Sequence, residues 1–137
     1  MKIITIDPGK YIGWAMIHDT DIVSCGTVTS IDELPTASGA IIEMPRVYPN
    51  ASKWKGDPQQ IVRLAMLAQR IADRYDVYSF VEPRRWRGMV PEAVLRGRTE
   101  ALLDPLERAR TVERDKLSPH AWDALGIAVW ALGRRIR

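Results

Sequence analysis

Three carboxylates and one imidazole stand where they could share a cation: Asp7, Glu43, Asp123 and His120. Asp7 and Glu43 each end a short apolar run just ahead of a proline, in Asp7-Pro8-Gly9 and Glu43-Met44-Pro45. An acid at a strand end is carried by buried backbone, the rigid placement a catalytic carboxylate needs. Asp123 lies early in an otherwise apolar stretch, Ala121-Trp122-Asp123-Ala124-Leu125. An ionised side chain there is costly unless it is paired, hydrogen-bonded or bound to metal. His120 precedes it by three residues, so on a helix the two share a face. Each residue also has an ordinary reading. Asp7 could be a turn residue, Glu43 an ion-pair partner of Arg46, Asp123 an acid favoured by a helix N-terminus, and His120 a helix-start residue. Crowding the acids is unfavourable: two charges about 4 Å apart at an effective dielectric near 20 repel by roughly 4 kcal/mol. Such a cluster persists mainly when a cation holds it. Oxygen donors with a single imidazole suit Mg²⁺ or Mn²⁺, and no Cys/His spacing for a structural zinc is present.

The elements that must carry these groups follow from periodicity and turn chemistry. Apolar, β-branched runs predict strands over residues 2–6, 13–17 and 22–29. Their separators are short, so these strands should pair as antiparallel hairpins. After a polar link over 30–38, a fourth short strand spans 39–43. Asp57-Pro58-Gln59-Gln60 reads as an N-cap, a first-turn proline and a capping-box glutamine. Ile61, Leu64, Ala65, Ala68, Ile71 and Ala72 then form the apolar stripe of a helix over 57–73. A fifth strand over 77–82 is stopped by Pro83; Pro91 opens a helix to about 103. Asp104-Pro105-Leu106-Glu107 repeats the cap, proline and box, and Ser118-Pro119 starts a last helix reaching about 135. The fourth and fifth strands, joined through a long helix, should run parallel in a right-handed crossover. The fold class is α/β: a five-stranded mixed sheet, three antiparallel strands followed by parallel ones, flanked by helices.

Composition narrows the function. At 137 residues the chain is expected to be a single domain over 1–137. The net charge of +3 is unevenly spread: residues 1–50 carry three Lys/Arg against six Asp/Glu, and residues 51–137 carry seventeen against eleven. Arg84, Arg85, Arg87, Arg96 and Arg98 lie close together, and Arg134, Arg135 and Arg137 end the sequence. Clustered arginine favours a nucleic-acid partner, because guanidinium pairs bidentately with phosphate. No signal-peptide region is expected, and the longest apolar stretch, over 121–132, contains Asp123 and is too short to span a bilayer. The lone Cys25 cannot form an intrachain disulfide, which fits a reducing cytoplasm. A sugar-kinase-like or actin-like ATPase also uses an early strand with an Asp and a Gly turn. Such folds need two duplicated domains, so no nucleotide cofactor is expected.

The motifs carry a family resemblance. Ile4-Thr5-Ile6-Asp7-Pro8-Gly9 with Gly13 resembles the first motif of RuvC-type Holliday-junction resolvases of the ribonuclease-H-like superfamily. Ile41-Ile42-Glu43 resembles their second motif, and Val81-Glu82-Pro83-Arg84-Arg85-Trp86-Arg87-Gly88 the fifth-strand exit of phage-type members. Ser118-Pro119-His120-Ala121-Trp122-Asp123-Ala124-Leu125-Gly126 resembles the C-terminal helix motif. The likeness spans nearly the whole chain, in order. It implies a ribonuclease-H-like fold and crossover-junction endodeoxyribonuclease activity, with two Mg²⁺ or Mn²⁺ ions hydrolysing a DNA phosphodiester. Asp7, Glu43 and Asp123 would be metal-binding carboxylates, with Asp7 bridging the ions. His120 stands where many members carry an acid, so it would be a fourth ligand or a phosphate-contacting group. A helix N-terminus should favour the neutral imidazole that can bind metal, which implies a Mn²⁺ preference and falling activity below about pH 6.5.

DNA contacts are expected in the loop after Glu43, from Arg46, Tyr48, Lys53, Trp54 and Lys55, and after the fifth strand from Arg84, Arg85, Trp86 and Arg87. The expected partner is branched DNA, a four-way junction, engaged by a homodimer in the cytoplasm of a bacterial or phage-infected cell. Alternatives are a flap, fork or RNA-processing nuclease of the same fold, or a non-catalytic branched-DNA-binding protein.

Overall fold

A computed structural model describes residues 1–45 and 57–134 of the chain. Five strands form one sheet: β1 (Lys2–Asp7), β2 (Ile12–His18), β3 (Asp21–Val28), β4 (Gly39–Glu43) and β5 (Tyr78–Val81). Their spatial order is β3-β2-β1-β4-β5. The first three pair antiparallel through tight turns, while β4 runs parallel to β1 and β5 parallel to β4. This is the mixed sheet expected from the run lengths and linkers. β1 is its central strand.

Alternation along the strands sorts the residues onto two faces. Ile4, Ile6, Ala40 and Ile42 point to one side, where they pack with Ala68, Ile71 and Ala72 of α1 (Pro58–Ala72). Ala15, Ile17 and Ile22 point to the other, against Ala124, Leu125, Ala128 and Val129 of α5 (Pro119–Ala131). Three shorter helices lie between β5 and α5: α2 (Pro83–Arg87), α3 (Glu92–Ala101) and α4 (Pro105–Arg110).

The helix starts obey their capping signals, with one departure. Asp57 accepts from the Gln59 backbone N–H, but Gln60 does not close a capping box there. At Asp104 the full box forms with Glu107. Pro83 does more than stop the fifth strand: its fixed φ suits a first helical turn, and it opens α2. Glu107 then ties the distant parts of the chain together. Its buried carboxylate accepts from the Ile22 backbone N–H at 2.8 Å and pairs with Arg134 at 2.6 Å. Burial pushes that carboxyl up, but Arg134 and the backbone donors outweigh it and hold it below its usual value. Among the described residues no helix is long and apolar enough to cross a membrane.

Candidate active site

The parallel pairing of β1 with β4 sets Thr5 opposite Ile41 and Ile6 opposite Ile42. Asp7 and Glu43 are the next residues on each strand. They therefore leave the sheet side by side, at the carboxyl ends of two parallel strands and on the face that α5 covers. Ligand sites of α/β sheets characteristically form at this edge.

α5 supplies the other half. Ser118 Oγ accepts from the Ala121 backbone N–H at 3.1 Å and fixes where the helix begins. Thr5, two residues before Asp7, donates its hydroxyl to the Ala124 carbonyl at 2.7 Å, which locks β1 to the turn that carries Asp123. Glycine makes the close seating possible. A Cβ at Gly13 would lie 2.0 Å from the His120 carbonyl oxygen, and one at Gly9 would lie 2.8 Å from His120 Cε1. The imidazole thus rests in the β1–β2 turn, with Nδ1 2.9 Å from Asp7 Oδ2.

Electrostatics register the convergence. Burial, then the charge of Asp7, pushes the Glu43 carboxyl up to about 8, with a smaller push from Asp123. Burial, then Asp7 and Glu92, pushes Asp123 up to about 7. Arg87 acts on both in the opposite sense and offsets only part of the shift. The hydrogen bond to Asp7 raises the His120 pKa against the effect of burial. This reverses the expectation that the helix N-terminus would keep His120 neutral. The carboxylate within hydrogen-bond reach is the largest cause of that rise.

These shifts fix a pH dependence. Glu43, Asp123 and His120 all bind protons more tightly in the folded chain than their ordinary values allow. Their contribution to stability is complete below the unfolded values and is lost as pH rises through the folded ones. The metal-free melting temperature should therefore fall by several degrees between about pH 5 and about pH 8.5. Mn²⁺ or Mg²⁺ should restore it mainly at the upper end, where the carboxylates are free of protons. Melting curves with and without metal test this; a flat metal-free profile would contradict the electrostatic picture.

The chemistry of the donors fits a hard divalent cation. Asp7 is only 5% exposed, Glu43 and Asp123 are half-buried, and all three are oxygen donors of the kind a hard cation takes. His120 already engages Asp7 through Nδ1, which leaves Nε2 for an outside ligand. A second acidic group, Asp21, Asp104 and Glu107, is the one trio among the described residues whose candidate donor atoms all lie within 4.8 Å of one another. It sits elsewhere, and its central carboxylate is taken up by Arg134 and backbone N–H groups.

The residues proposed for DNA contact fare unequally. Arg46, Tyr48, Lys53, Trp54 and Lys55 lie outside the described residues. Arg84 and Arg85 are exposed, Arg85 over the Trp130 ring at 5.9 Å. Arg87 is half-buried and pairs with Glu92. Trp86 is a correction: it is 2% exposed, and its indole N–H donates to Glu43 Oε2 at 2.6 Å. Its large apolar ring fills the space between β4 and α5, so it is not at the surface where the expected DNA contact would be made. Sequence reasoning missed this partner of Glu43, and missed Glu92 beside Asp123. Gly126 was the available signal, since a glycine amid an apolar helix marks a close approach by a neighbour.

No family model and no curated protein matches this sequence. Among solved structures, the chain is similar to T. thermophilus RuvC in complex with Holliday junction substrate. That match has a TM-score of 0.60 and 14% identity, over 97% of this chain and 94% of that one. It is also similar to the Thermus thermophilus RuvC structure, with a TM-score of 0.49 and 13% identity over 98% of each chain. At such identity the first of these likenesses establishes architecture. Together with the strand order, it shows that the chain has the ribonuclease-H-like fold.

Proposed function

We propose that this chain is a metal-dependent, structure-specific endodeoxyribonuclease that cleaves Holliday junctions or other branched DNA. The observation that carries the reading is the placement of Asp7 and Glu43 at adjacent strand ends under α5, with His120 bonded to Asp7 and Asp123 within reach of its charge. The fold adds support, since it is shared with T. thermophilus RuvC, whose structure is solved in complex with Holliday junction substrate. Asp7, on the central strand, acts on both other acids and would hold a divalent cation together with them. The chemistry that Mg²⁺ or Mn²⁺ supplies when bound is neutralisation of the scissile phosphate and a lower pKa for the attacking water.

Of the two roles open to His120, the phosphate-contacting one is the better supported. Its bond to Asp7 occupies Nδ1 and shifts the ring toward the charged form, which suits a contact from Nε2 to a phosphate oxygen. Arg84 and Arg85, exposed after β5, suit the backbone of an adjoining arm. A four-way junction presents twofold-related strands, so the active unit is a C₂ homodimer. The exposed Val62 and Met66 on α1 are apolar surface in keeping with such a contact.

Incubating the protein with synthetic four-way, three-way and flap DNAs, and with an RNA/DNA hybrid, tests the reading. The expected result is symmetric nicking of the four-way junction with Mg²⁺ or Mn²⁺ and none in EDTA. Preferential cutting of flaps or hybrids would reassign the substrate. Metal-independent binding without nicking on any substrate would favour a non-catalytic junction binder.

A further inference from the structure

The segment after β5 is arginine-rich, yet its aromatic residue turns inward. Trp86 Nε1 donates to Glu43 Oε2 at 2.6 Å. An indole N–H is a donor only, so the bond fixes one lone pair of Oε2 as an acceptor and leaves the others, those of Oε1 among them, for a cation. Buried tryptophans need a partner for this hydrogen, and most side-chain hydrogen bonds go to backbone or water. Here the partner is a carboxylate of the candidate metal set.

The ring is held as firmly as its N–H. A Cβ at Gly126 would lie 2.4 Å from Trp86 Cζ3, so the helix surface is cut away where the six-membered ring enters. Val81, Leu95 and Ile127 close the remaining sides. Gly126 is three residues beyond Asp123, one turn along the same face of α5. The indole therefore spans the two halves of the site, touching Glu43 on β4 at one edge and the Asp123-bearing helix at the other.

We propose that Trp86 is a positioning residue that holds the Glu43 carboxylate in its metal-binding orientation and so sets metal affinity, without itself touching metal or DNA. The consequence for cleavage rests on the nuclease reading above; the consequence for metal affinity can be measured apart from it. Carboxylate ligands are oriented by the groups that hydrogen-bond to them, and losing such a group typically costs 10- to 100-fold in metal affinity.

The test is site-specific replacement of Trp86 by 3-benzothienylalanine, which keeps the bicyclic shape and exchanges only N–H for sulfur. The 7-azatryptophan variant, which keeps the N–H, serves as the conservative rescue. Three quantities are read: Mn²⁺ affinity of metal-free protein by titration calorimetry, four-way-junction binding in EDTA, and melting temperature. The expected result for the benzothienyl variant is Mn²⁺ binding weaker by about tenfold or more, with junction binding and melting close to wild type. The 7-azatryptophan variant should match wild type. Unchanged Mn²⁺ affinity in the benzothienyl variant overturns the proposal, and so does an equal loss in both variants, which would make the ring's shape the cause. Wild-type protein that binds Mn²⁺ but cuts no branched DNA overturns the nuclease reading alone, since the affinity comparison still decides the role of Trp86. Wild-type protein that binds no Mn²⁺ overturns both.

Discussion

Asp7→Asn is expected to abolish metal-dependent cleavage while leaving the protein folded and able to bind a junction in EDTA. The substitution keeps the shape and an oxygen that can still accept from His120 Nδ1. It removes the charge that acts on Glu43, Asp123 and His120 alike. Turnover should fall on the order of 10³-fold or more, the scale seen when one member of a concerted catalytic set is removed. Stability should move the other way. With the Asp7 charge gone, Glu43 and Asp123 ionise more readily, so the metal-free variant should melt no lower than wild type near pH 8. Activity lost while stability is kept would separate a catalytic acid from a turn residue. Normal turnover by the variant would sink the assignment.

Gly13→Ala should produce the largest loss of stability available from a single methyl group. The added carbon would stand 2.0 Å from the carbonyl oxygen of His120, 2.1 Å from its carbonyl carbon and 2.6 Å from the Ala121 nitrogen. These are backbone atoms, so no rotamer change relieves the overlap. α5 would have to lift from β2 and break the packing of Ala124, Leu125, Ala128 and Val129 against Ala15 and Ile17. A cost of about 4 kcal/mol or more is expected, in the range reserved for core disruption. Gly97→Ala is the internal comparison. It lies within α3 with nothing within 4 Å of its added carbon, and alanine there should stabilise by up to about 1 kcal/mol. Denaturant melts of the two variants should shift in opposite directions; similar shifts would mean that α5 does not seat on β2 as described.

Much of this was legible in the amino-acid order, because the relevant signals are local. Alternation along residues 2–7 and 39–43 decides which face each strand end presents, and the parallel pairing then puts Asp7 beside Glu43. The cap, proline and box at Asp104 and the serine cap at Ser118 likewise fix helix starts within a residue or two. What was hidden depends on contacts across long sequence separation. Trp86 sits in a run of arginines whose composition suggests a DNA-facing loop, and only the third dimension turns its ring toward Gly126 and its N–H toward Glu43. The direction of the His120 shift was hidden for the same reason. The helix N-terminus could be read from Ser118-Pro119, whereas the partner that dominates is a carboxylate 113 residues away.

That separation has a consequence for biosynthesis. A ribosome delivers β1 over a hundred residues before α5, and the face of β1 and β2 that α5 covers stays open until that helix has emerged. Until residues 120–123 have emerged and docked, a nascent chain holds Asp7 and Glu43 without the imidazole and carboxylate that complete the set. A product truncated before that helix lacks His120 and Asp123 and could not bring them beside Asp7 and Glu43. The Thr5 hydroxyl bonded to the Ala124 carbonyl is one of the contacts that wait for α5.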